Sequence, residues 1–275
     1  MTHPHARRAA TGHVSHVTKS ALALAALAAT VVTTAASPAR AQEDREDPLG
    51  GKERGVHSPQ HFALEIRFSP YTPNIDSDPA LNGATPYKTV FGSKARFFIG
   101  AEIDWQALRI PHFGSLGPGG SVGYVAMSDP ALFTMEHNGT LVSGETTSLA
   151  IFPFAVMAVL RADALWRDIG IPLVPYAKLG LAYALWRASN TLGTSTFEGV
   201  SGKGHSFGTH FALGLSLNLN PFDAYAAQNL DDSLGINGTY LFAEWTREDY
   251  NGLGFQSDPL RVGGSNWTFG LAFEF

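Results

Sequence analysis

The sequence contains no cysteine, which excludes disulfides, thiolate metal sites and a lipid-modified N-terminal cysteine. Stability then rests on backbone pairing and packing. Charge is scarce too, at 16% Asp, Glu, Lys and Arg, and it leans acidic, with 24 acidic against 19 basic residues. Nucleic acid and anionic lipid surfaces are poor partners for such a chain, because both require basic patches. Also absent beyond residue 41 is any apolar run of the roughly 18 residues that a membrane-crossing helix needs. If the protein crosses a membrane, it does so with strands.

The first 41 residues lack Asp and Glu altogether and have the three parts of a secretory signal. Arg7, Arg8 and Lys19 precede the apolar run "ALALAALAATVV" (Ala21–Val32), and Ala39 and Ala41 offer a small-residue cleavage pattern before Gln42. Residues 1–41 are therefore expected to be a signal peptide, followed by a charged, flexible leader over 42–58 and a single β domain over 59–275.

The last ten residues, "NWTFGLAFEF", alternate strictly: Trp267, Phe269, Leu271, Phe273 and Phe275 fall on one face, small or polar residues on the other. The same period of two recurs upstream. "HFALEIRF" sets Phe62, Leu64, Ile66 and Phe68 against Ala63, Glu65 and Arg67. "RFFIGAEIDWQA" sets Phe97, Ile99, Ala101, Ile103 and Trp105 against Arg96, Phe98, Gly100, Glu102, Asp104 and Gln106. "SFGTHFALGLSLNL" and "TYLFAEWT" alternate likewise, the latter turning Glu244 to the polar face. "LVPYAKLGLAYALW" puts Lys178 opposite Leu179 and Leu181. "GSVGYVAM" is weaker, and "SLAIFPFAVMAVLR" is apolar on both faces and contains Pro153, so a buried helix remains open there.

The charges settle which face is which. Glu65, Arg67, Glu102, Asp104, Lys178 and Glu244 all share a face with glycines and small residues. A water-soluble barrel would hide its apolar face, whereas a barrel in lipid turns that face outward and closes on itself so that no backbone edge meets hydrocarbon. The expected fold class is all-β: a transmembrane, antiparallel, up-and-down β-barrel of eight strands. Long outer connections are expected near 69–95, 128–147, 187–204 and 247–264. Shorter inner ones fall near 108–120, 162–172 and 220–236, the last holding a helical turn. Ten strands are also open, because 69–95 could hold more. Aromatic residues at the strand ends form two girdles, with Trp105 and Phe275 at the inner edge and Phe97 and Trp245 at the outer.

The terminal strand ending in Phe275 resembles the C-terminal recognition signal of bacterial outer-membrane β-barrel proteins. The stretches "SPQHFALEIRFSPYTPNID" (Ser58–Asp76) and "GAEIDWQALRIPHFGSLGPGGSVGY" (Gly100–Tyr124) resemble an uncharacterised family of myxobacterial outer-membrane barrels. The resemblance implies location in the outer membrane, with Trp267, Phe269, Leu271, Phe273 and Phe275 as the signal read by the barrel-assembly machinery. It implies no reaction.

Among residues that could carry chemistry, Glu102 and Asp104 form a carboxylate pair on one strand face, suited to acid–base work or to a cation. The interior of an eight-stranded barrel is only wide enough for side chains, so Glu65, Arg67, Arg96, Glu102, Asp104, Lys178, Glu244 and Glu274 are expected to fill it as a charge network. Were water to pass, five acids against three bases would favour cations. Ser206 with His205 and His210 invites a hydrolase reading, but adjacent residues of a strand face opposite ways, so His205 cannot serve Ser206. "GSLGPGG" (Gly114–Gly120) lacks a phosphate-loop Lys and reads as a turn. The sequence thus points to a monomeric, non-enzymatic outer-membrane barrel without cofactor or metal, structural or surface-interacting through its outer loops. A narrow cation-preferring pore and an outer-membrane lipid-modifying enzyme are the alternatives.

Overall fold

A computed structural model describes residues 61–135, 139–191, 193–197 and 200–275; the signal region 1–41 and the leader 42–58 lie outside them. Eight long strands form the domain: β1 (Phe62–Tyr71), β2 (Arg96–Trp105), β3 (Gly114–Met135), β4 (Gly139–Arg161), β5 (Leu173–Asn190), β6 (Lys203–Asn218), β7 (Gly238–Asp249) and β8 (Gly264–Glu274). Each pairs antiparallel with the next, and β8 pairs back onto β1, with Leu64 opposite Phe273. The result is a closed up-and-down barrel with no free edge in its wall. The wall is staggered. A circuit of paired residues from Ala63 climbs through Asp104, Gly119, Met157, Gly180, His210 and Glu248 to Gly264, which stands against Thr72, just past the far end of β1. Tilted strands of this kind are what closure requires.

Period-two alternation decides what faces where. On β8, Trp267, Phe269 and Leu271 are exposed while Thr268, Gly270 and Ala272 are buried. On β1, Glu65 and Arg67 are buried between the outward Leu64, Ile66 and Phe68. The exterior is an apolar belt, and the charges lie inside.

Two expectations need correction. Gly114–Gly120 is not a turn but the start of β3, and its glycines serve close packing. A Cβ on Gly117 would come within 1.7 Å of the Trp105 carbonyl oxygen, so only glycine lets the wall close there. The segment 128–147 is mostly strand, because β3 and β4 run on as a hairpin past the barrel wall. The segment 148–161 is a strand, as its place in the series of eight segments implied, and the helix left open there does not form. Pro153 sits where the β3–β4 ladder skips from Val122–Phe154 to Val125–Ile151, so its missing N–H interrupts pairing already broken.

At the end where Phe62 meets Phe275 the connections carry two helices, α2 (Ala164–Ile169) and α3 (Ala224–Leu234), the latter capped by Asp223. At the opposite end, α1 (Pro86–Phe91) and the segment 250–263 fold over the barrel mouth. β2 pairs with β3 only as far as Phe98–Val125, whereas β3 and β4 have 22 and 23 residues. A bilayer-crossing strand needs about 9–11 residues, so the outer halves of β3 and β4 stand beyond the wall as a two-stranded ribbon.

Candidate functional site

The interior is stacked in three layers, each dictated by which residues the alternation turns inward. The lowest, toward the Phe62–Phe275 end, is a charge network. Lys178, fully buried, lies 2.8 Å from Glu65 Oε2, 2.5 Å from Glu102 Oε1 and 3.2 Å from Glu244 Oε2, with its Nζ 4.9 Å from the Tyr176 ring centre. Arg67 bridges Glu102 and Glu244. Arg161 Nη2 donates to Glu65 Oε1 at 2.8 Å and Asp104 Oδ2 at 2.6 Å. The Tyr176 and Thr246 hydroxyls donate to Glu244 at 3.1 and 3.0 Å. Five strands therefore meet through one set of side chains, and buried ion pairs of this sort persist only when each charge is matched and hydrogen-bonded.

Two of the sequence-derived lumen residues sit elsewhere. Arg96 belongs to the far rim, where it pairs with Asp129 and donates to the Phe91 carbonyl at 2.9 Å; at the start of β2, ahead of its first buried residue Gly100, it holds α1 in place. Glu274 makes no ion pair among the described residues, its carboxylate instead accepting from Tyr240 at 2.7 Å and Gln106 at 2.8 Å. Arg161 was the residue the alternation missed. It ends a run that is apolar on both faces, so nothing in the pattern says which way it points; its alternation with the inward Val159 and Met157 is visible only once β4 is placed.

Above the charges lies a small cavity of about 40 Å³, bordered by polar and apolar side chains alike, among them Arg67, His210, Glu248, Tyr71, Phe98 and Val122. His210 Nδ1 is 3.0 Å from Glu248 Oε1, and the Tyr250 hydroxyl donates to the other oxygen at 3.2 Å. Burial holds the Tyr250 phenol well above its usual range, with the Glu248 charge adding, so it keeps the proton it donates. The third layer is an apolar cap: Tyr71, Val125, Ile151 and Ala184 from the wall pack against Ile75, Tyr87, Tyr250 and Val262 from the overlying loops.

The hydrolase candidates do not assemble. Ser206 Oγ donates to the Leu260 carbonyl at 2.8 Å, His210 faces Glu248, and His205 lies on the outer face beside Tyr183 and Phe207. No hydrogen bond joins Ser206 to either histidine among the described residues. Oxygens of Glu65, Glu102 and Asp104 lie within 4.8 Å of one another, spacing that a metal ion could use, but Arg67, Arg161 and Lys178 already occupy that space.

No protein-family model matches the chain, and no curated protein does. Among solved structures it is similar to the attachment invasion locus protein Ail of Yersinia pestis, at 12% identity over 78% of this chain and 97% of that one, with a TM-score of 0.38. OprG from Pseudomonas aeruginosa (12% identity, 80% and 97%, TM-score 0.40) and Neisserial surface protein A (11%, 78% and 97%, 0.40) are comparable. What those proteins bind does not transfer at such identities.

Proposed function

We propose that the protein is a non-enzymatic outer-membrane barrel, monomeric and exported by the signal in residues 1–41, whose closed wall holds up loops for contact outside the cell. The observation that carries this is the pairing of an apolar exterior with an interior closed twice over, by the Lys178-centred charges and by the apolar cap. A belt that exposes Leu179, Leu181 and Phe97 by more than 60% each suits hydrocarbon and not water. Phe275, whose backbone exchanges hydrogen bonds with Phe62, would be presented to the barrel-assembly machinery with Trp267, Phe269, Leu271 and Phe273 before the barrel closes. The first three strands support kinship with the myxobacterial barrels that the sequence resembles.

Loops on a rigid scaffold are where recognition is placed. With the segments 72–95 and 250–263 committed to the cap, the ribbon of β3 and β4 is an element that can meet a partner. Beyond Val125 the outer part of β3 has no sheet neighbour on the β2 side among the described residues; α1 lies against it and Arg96 pairs with Asp129, so its backbone is open to an added strand past Asp129. Conductance in a planar bilayer tests the closed lumen. The refolded mature chain should give no steady current; a steady, cation-selective step would replace the plug with the pore alternative. Unchanged lipid A on overexpression is expected, and a modified lipid A that reverts in Ser206→Ala would return the enzyme.

A further inference from the structure

The buried network does not balance. Its members are four carboxylates, Glu65, Glu102, Asp104 and Glu244, and three cations, Arg67, Arg161 and Lys178, all less than about one-twentieth exposed. Glu65, Glu102 and Glu244 are each met by two of the three cations, whereas Asp104 receives Arg161 alone, on Oδ2. The other oxygen is the second observation. Asp104 Oδ1 is buried without a hydrogen-bond partner, and it stands against Gly119: a Cβ there would lie 2.3 Å from it and 2.9 Å from Val159 Cγ2.

We infer that the network binds one further positive charge from solvent, a single proton seated on Asp104 Oδ1. With Oδ1 buried against Gly119, the Asp104 carboxylate is compensated on its Oδ2 side alone, by Arg161, and a buried carboxylate so incompletely paired is stabilised by taking up a proton. The groups around it agree. Glu102 on its own strand and Glu65 on β1 bring like charge within 4.8 Å, Arg161 on β4 compensates one oxygen only, and Lys178 on β5 is committed to the other three acids. The step adds one O–H bond and breaks none in the protein. With the proton in place, three negative charges face three positive ones.

The inference deepens the reading of the lumen as a closed plug, and its test is separable from conductance: a conducting barrel that still held the proton would overturn the plug alone. The mature chain, labelled with ¹³C at the aspartate side-chain carboxyl and refolded into phosphatidylcholine vesicles, is examined by infrared spectroscopy at neutral pH. A protonated-carboxyl C=O band that shifts with the label is expected in the wild type, bleaching as the pH is raised, and lost in Asp104→Asn. That variant should keep the heat-modifiable gel mobility. Absence of the band in the wild type at neutral pH overturns the inference without recourse to any variant. So does its persistence in Asp104→Asn, or retention of one equivalent of a divalent cation that Asp104→Asn releases.

Discussion

Lys178 is the residue on which the lower interior depends. Its ammonium is fully buried and touches three carboxylates, so removing it leaves charges that nothing else can match. Replacement by Met, which fills a similar volume, should destabilise the refolded barrel by roughly 3–5 kcal/mol, read as a lowered urea midpoint; that is the scale for breaking a buried pair from one side. Arg96 makes the contrasting case. Its partner Asp129 lies on the partly solvated rim, and Arg96→Ala should cost under about 1 kcal/mol. Equal losses in the two variants would mean that the lumen charges carry no special share of stability. Most of the network was readable in the sequence because Glu65, Arg67, Glu102, Asp104, Lys178 and Glu244 stand on faces whose opposite sides are apolar. Arg161 was not, since both faces of its strand are apolar, and Arg96 has the right phase but sits at the wrong height.

At the level of the strand, legibility followed contrast between faces. β1, β2, β6 and β8 show in the sequence because large apolar and small or polar residues alternate in them. β3 is hidden by glycines, which read as a turn but are selected by the close approach of neighbouring backbone, as at Gly117. The lipid-facing row makes a direct prediction. Leu179 lies on the outer face of β5, 65% exposed, next to the inward Lys178. An arginine there should cost about 2–4 kcal/mol in a bilayer, the scale for a charge at mid-depth, measured by the same urea titration in vesicles. No loss would mean that this face does not meet hydrocarbon. The ribbon predicts the opposite. Its outer pairs, such as Leu132–Val142, join β3 and β4 to each other only, so deleting 132–142 should leave the unfolding midpoint of the barrel within experimental scatter. A marked fall would show that the ribbon is part of the wall's support.

For the whole molecule, charges inside and apolar side chains outside invert the arrangement of a protein that folds in water, and only a closed wall makes the inversion tolerable, because lipid offers no partner to a free backbone group. Closure was legible as an even number of alternating segments. The stagger and the layering of the interior were not, because both arise from register, which is fixed by pairing between strands distant in sequence. The most direct test of the apolar-out barrel is the gel mobility of the mature chain from Gln42, folded into detergent and run in SDS with and without boiling, beside a form lacking Phe275. The account predicts a compact, SDS-resistant band that shifts on boiling, reached more slowly without Phe275. A single mobility under both conditions, from a protein that stays soluble once detergent is removed, would contradict it.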